Sequence, residues 1–135
     1  MKKIEVVAAV LKQNSEVLCL QRGFSKLDYI SHKFEFPGGK VEENEDFKKA
    51  LGRELLEEMN ICVHEDQMSY LMTVNHQYPD FFIKMHAYVC DVENIEYALN
   101  EHVDAVWSNA ESIDALDWAA ADIPIVDRLK SERLI

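Results

Sequence analysis

Glu54, Glu57 and Glu58 stand three and four residues apart in the run RELLEEMNI. At about 100° per residue they fall in one arc of a helix. That arc overlaps the edge of an apolar stripe made by Phe47, Leu51, Leu55 and Met59. Like charges at these spacings repel one another, and partial burial adds to the cost. A cation among the acids relieves both penalties, and oxygen donors in this number suit Mg²⁺ or Mn²⁺ better than zinc. A solvated acidic face with ion pairs such as Arg53 to Glu57 is the plainer account. It leaves unexplained the Pro37-Gly38-Gly39 run placed just before the helix.

The helix that carries the acids reads from an N-cap at Asn44, with Glu45 and Asp46 in a first turn where the helix dipole favours anions. Gly52 in mid-helix costs about 1 kcal/mol relative to alanine, which the close approach of another backbone would explain. Residues 4–11 and 17–21 read as a strand hairpin around a turn at 12–16. A polar loop at 23–31, with Lys26 and Tyr29, makes a rim, and residues 32–37 form a short strand entering a glycine turn. Residues 61–63 and 70–76 are extended, and Tyr78-Pro79-Asp80 is a turn. Residues 81–90 alternate, with Ile83, Met85, Ala87 and Val89 on one face and Phe82, Lys84, His86 and Tyr88 on the other, one of the two facing the core. The other face lines a cleft or meets solvent. A last strand falls at 103–107 and a short helix at 110–116, capped by Ser108 or Asn109. The final helix starts at Asp122, which its N-cap position explains, and turns Ile125, Val126 and Leu129 inward.

A chain of 135 residues makes one domain, residues 1–135, with 48 % apolar and 29 % charged residues. The formal net charge of −11 argues against a protein that lies along polymeric nucleic acid. An anionic small molecule remains bindable where metal and placed basic residues reverse the local field. Cys19, Cys62 and Cys90 have no CxxC spacing and read as reduced, mostly buried thiols of a cytoplasmic protein. The opening MKKIEVVAAVL reads as a strand rather than a leader, and no run is long enough to cross a membrane. The five histidines show no metal-ligand spacing and read as surface or strand-face imidazoles. Nothing in the sequence identifies a protein partner.

Residues 39–61 resemble the Nudix box: a glycine, five residues, a glutamate, seven residues, then Arg-Glu-apolar-any-Glu-Glu-any-Gly-apolar. The matching positions are Gly39, Glu45, Arg53, Glu54, Leu55, Glu57, Glu58 and Ile61. The last glycine is replaced by Asn60, the usual substitute where a helix ends on a left-handed residue. The resemblance implies an α/β/α sandwich with a mixed central sheet between the box helix and the C-terminal helix. It implies hydrolysis of a nucleoside triphosphate to monophosphate and pyrophosphate with Mg²⁺, Mn²⁺ being a possible substitute. The substrate would be an oxidised purine such as 8-oxo-dGTP, or one of CTP/dCTP type, in nucleotide-pool housecleaning. The metal ligands implied are the Gly39 carbonyl, Glu54, Glu57, Glu58 and Glu101. Glu54 is the first choice to accept a proton from water and Glu101 the second, with Glu45 and Arg53 orienting the cluster. Arg22, Phe36, Lys40 and Asp122 are the implied substrate contacts. Some MutT-like relatives carry an arginine where Phe81 or Phe82 stands here. Activity on ADP-ribose or dinucleoside polyphosphates is the alternative, as is a nucleotide sensor that does not hydrolyse. Such sensors usually lack a box glutamate, and none is missing here.

Overall fold

β1 is the axis of the molecule. In the computed structural model, which describes residues 2–135, it runs Lys2–Gln13 and is buried on both faces at its centre. Val7, Ala9 and Leu11 point into one core cluster, and Ala8 and Val10 into another. Burial on both sides suits its near-continuous apolar run. The remaining strands are β2 (Glu16–Gln21), β3 (Phe34–Glu35), β4 (Gly38–Lys40), β5 (Met68–Gln77), β6 (Phe81–Asp91) and β7 (Asp104–Ser108). The helices are α1 (Phe47–Met59) and α2 (Ile123–Ser131). They form one mixed seven-stranded sheet ordered β3-β2-β1-β6-β5, with β4 also on β1 and β7 on β2. β1 and β6 run parallel from Lys2↔Phe81 to Lys12↔Asp91.

The other edge of β1 is shared. β2 pairs with it only at Lys12 and Gln13, while β4 takes Val6 to Ala8. The sheet is therefore split between β1 and β2, and the split is where a cavity opens. One core cluster holds α1 residues Ala50, Leu51, Leu55 and Met59; the other holds α2 residues Ile125, Val126 and Leu129. The α/β/α sandwich with its mixed sheet is thus present, one helix on each side.

Local departures from the sequence reading have physical causes. The glycine pair is not a turn but strand β4, laid so close to β1 that a Cβ on Gly38 would lie 1.9 Å from the Val7 carbonyl oxygen. The N-cap of α1 is Asp46, without a side-chain cap bond, and Glu45 and Asp46 precede the helix. Asn44 sits in a turn at φ 60°. The Glu45 carboxylate accepts from Arg53 and from the Glu42 backbone. Residues 61–63 join no strand, and the short helix expected at 110–116 shrinks to one tight turn at Ile113–Ala115. Gly52 faces only ordinary contacts, 3.7 Å or more from any atom a Cβ would meet, so close backbone approach does not explain it. β6 is buried on both faces, with Met85 and Ala87 in the core cluster that also holds α2. Ile83 and Met85 reach the cavity, while His86 and Tyr88 lie buried beneath α1.

α1 ends as its sequence suggests. Asn60 is left-handed at φ 57°, and Asn60 and Ile61 donate to the Leu56 and Leu55 carbonyls.

Candidate active site

The split between β1 and β2 opens into a cavity of about 770 Å³. Arg22, Phe36, Gly39, Lys40, Glu54, Glu57, Glu58, Glu101 and Asp122 all line it. Glu45 and Arg53 stand behind that lining.

The acidic end is built from α1 and β4. Arg53 is its hub. Its Nε and Nη2 donate to Glu45 at 2.8 and 2.9 Å, its Nη1 to Glu54 at 2.9 Å and its Nη2 to the Lys40 carbonyl at 3.0 Å. Glu57 is a longer partner at 3.4 Å. The Arg53 bonds hold the Glu45 carboxyl down at about 2. Glu58 is 6 % exposed and its Oε1 accepts from the Gly38 backbone N–H at 3.3 Å. Burial first, and then hydrogen bonding and charge repulsion from Glu101, push the Glu58 carboxyl up to about 9. Burial likewise raises Glu54, with Glu57 and Glu101 adding to it against Arg53.

Four carboxylates thus crowd a site in which, among the described residues, Arg53 is the one cation paired with them, through Glu54 and Glu57. Among the described residues, no three His, Cys, Asp or Glu side chains converge as a preset metal site. The donor chemistry nonetheless fits a divalent cation: every donor is oxygen, and the acids disfavour one another's charge. Gly39 supplies a second sign of fit. A Cβ there would lie 2.3 Å from the Glu54 carboxyl, so only glycine leaves room for that side chain against the strand.

Glu101 arrives from the connection between β6 and β7, and its neighbour fixes the approach. Asn100 Nδ2 donates to the Glu57 carbonyl at 2.7 Å and to Asn60 Oδ1 at 3.1 Å, while its N–H donates to the Glu58 carbonyl. These bonds occupy free carbonyls at the end of α1.

The other end of the cavity is aromatic and faces the α2 layer. Phe36 is buried, with its ring 4.8 Å from that of Trp118. Asp122 is 4 % exposed and makes no side-chain cap bond to α2, so its N-cap position does not explain its carboxylate. That carboxylate is turned toward the Phe36 backbone N–H. Burial, and then the Glu35 charge, raise it well above the usual carboxylate range. Tyr78 accepts from the Ala121 N–H at 2.9 Å, tying this segment to the β5–β6 turn. Tyr29 from the rim loop stacks on Tyr78 at 5.2 Å and donates to Asp80 at 2.5 Å. Arg22, half-exposed, donates to Glu35 at 3.2 Å.

Sequence reasoning passed over Glu35, Tyr78, Trp118 and His102. His102 is neither a surface nor a strand-face residue: its side chain is 5 % exposed in the loop before β7 and bonded to Glu35 at 2.8 Å. The available signal for Glu35 was its place between Phe34 and Phe36, two buried aromatics on a short strand.

The family model for the NUDIX domain matches residues 1–129. The CTP pyrophosphohydrolase of Escherichia coli (strain K12) is 32 % identical over 133 residues, spanning 98 % of this chain and 96 % of that protein. The 8-oxo-dGTP diphosphatase of the same strain is 27 % identical over 131 residues, spanning 96 % and 98 %. The solution structure of the E. coli ORF135 protein matches at a TM-score of 0.82 and 32 % identity, covering 98 % of this chain and 92 % of that one.

Proposed function

The chain belongs to the NUDIX domain family, a hydrolase acting on phosphoanhydride bonds, and from that premise we propose that it splits a nucleoside triphosphate into monophosphate and pyrophosphate. The one observation that carries this is the layout of the cavity. An acid cluster occupies one end, and a buried aromatic with a buried carboxyl group occupies the other. A compact nucleotide fits with its phosphates at the first and its base at the second. The relatives named for CTP and for 8-oxo-dGTP favour a pyrimidine of CTP type or an oxidised purine as the base, in nucleotide-pool housecleaning.

The Gly39 carbonyl, Glu54, Glu57, Glu58 and Glu101 would hold the divalent cation, Mg²⁺ with Mn²⁺ able to replace it. When bound, that cation supplies neutralisation of phosphate charge and a lowered pKa for the attacking water. Glu54 takes the water proton, with Glu101 the second choice. Arg53 holds Glu54 by one bond and is itself clamped by Glu45, so the pair fixes the direction of the acid rather than exchanging protons. Lys40 meets a phosphate at the cavity edge. Arg22 and Phe36 flank the base. A neutral Asp122 offers an O–H donor beside a C=O acceptor, the complement of a base edge that presents one acceptor beside one donor.

The test is a panel of nucleoside triphosphates with Mg²⁺, read as phosphate with and without added pyrophosphatase. Phosphate that appears only with pyrophosphatase is the expected result. Release from no triphosphate, or release only from ADP-ribose or dinucleoside polyphosphates, rejects the proposal.

A further inference from the structure

Glu101 and Arg22 reach the cavity on separate segments, and one buried ring joins them. His102 Nε2 lies 2.8 Å from Glu35 Oε2. A carboxylate only accepts, so this nitrogen carries the proton. The other Glu35 oxygen, Oε1, accepts from Arg22 Nη1 at 3.2 Å. Glu35 is thereby held from two sides, by an imidazole and by a guanidinium. Glu101 is held from two sides as well, since Asn100 ties the chain before it to the end of α1 and His102 ties the chain after it to β3.

The ring is a poor choice for stability alone. Its Nδ1 is sealed from solvent without a hydrogen-bond partner, and an unmet buried polar atom weakens a fold. An apolar side chain of similar size would avoid that cost. What only a histidine or another N–H donor supplies here is the bond to Glu35.

We propose that His102 is a positioning residue that couples the two ends of the cavity. Through Glu35 it aims Arg22 toward the nucleobase, and by the same bond it keeps Glu101 among the α1 carboxylates. The base half of this rests on the triphosphate reading above; the metal half does not.

The experiment compares wild type, His102→Leu and His102→Gln. Mn²⁺ binding is titrated by electron paramagnetic resonance with no nucleotide present, and kcat and KM are measured across the triphosphate panel. In His102→Leu, Mn²⁺ affinity should fall about ten-fold, the scale seen when a group supporting a metal ligand is lost. The preference between the best and poorest base should shrink, mainly through KM, while the melting temperature holds or rises. His102→Gln, which restores an N–H near the same point, should recover both readouts. Glu35→Gln should weaken base preference on its own, and the double variant should lose less than the two single losses combined. Glu35→Gln tests the link from β3 to Arg22 even if the leucine variant folds poorly. Wild-type Mn²⁺ affinity and base preference in His102→Leu, or additive losses in the double variant, overturn the proposal. A wild-type protein inactive on every triphosphate rejects the substrate reading alone, and the Mn²⁺ titration still tests His102.

Discussion

Gly39→Ala is the sharpest test of how the acid cluster is seated. The added methyl would fall 2.3 Å from the Glu54 Cδ and Oε2 atoms, against an ordinary contact of 3.4 Å or more. Glu54 must therefore retreat by about 1 Å, and a shift of that size in a reacting group costs on the order of 10²-fold in rate. That is roughly 2.7 kcal/mol of transition-state stabilisation. The atom displaced is the end of a flexible side chain, so the fold should survive. Gly38→Ala is the contrast, because its methyl would meet the Val7 backbone oxygen at 1.9 Å, where nothing can yield. The assay is kcat/KM on the best triphosphate, beside a thermal melt of each variant. Gly39→Ala should melt near wild type and turn over about a hundred times more slowly; Gly38→Ala should fail to fold or melt far lower. A Gly39→Ala enzyme with near wild-type kcat/KM would refute both the seating of Glu54 against β4 and its role in the reaction.

Other outcomes follow from the same geometry. Glu57→Gln changes an exposed carboxylate, so stability should stay within about 0.5 kcal/mol, while hydrolysis should be lost; a variant with near wild-type rate removes Glu57 from the ligand set. Asp122 has a folded pKa raised by burial and by Glu35, so the folded state keeps a proton that the unfolded chain releases near pH 4. Its contribution is fully present below that pH and is lost as pH rises toward the folded value. Asp122→Asn should therefore flatten the fall in melting temperature as pH rises above about 4, and an unchanged slope argues against a protonated Asp122. Tyr29→Phe keeps the stack on Tyr78 but removes the bond to Asp80, so KM should rise about five-fold for a bond worth about 1 kcal/mol, with kcat little changed. A pure kcat effect would show that the rim loop does more than retain substrate.

The chemistry was more legible in the sequence than its support. Glu54, Glu57 and Glu58 announce themselves because helical spacing converts directly into a shared face, and the cavity brings all three together with Gly39 and Glu101. Hydrophobic periodicity likewise located α1 and the inward face of α2. The start of α1 was misplaced because a carboxylate suited to a first turn was engaged by Arg53 instead, a tertiary contact that local propensity does not register. Gly38 and Gly39 looked like a turn because glycine usually marks one. Here the missing side chains admit a neighbouring strand and a glutamate. Glu35 and His102 left no periodic trace, since their partnership spans 67 residues and exists only once β3 and the loop before β7 are adjacent.

The split in the sheet has a consequence for how such an enzyme can change. The α1 carboxylates stand on one side of the sheet and the groups proposed to meet the base stand toward the α2 layer, so a nucleotide bound as proposed would pass through the gap like a rivet through two plates. Substitutions around Phe36, Trp118 and Asp122 can then alter which base is accepted while the acids behind the other plate keep their places. One scaffold can in this way try new substrates without rebuilding its chemistry, and selection on the two plates can proceed at different rates.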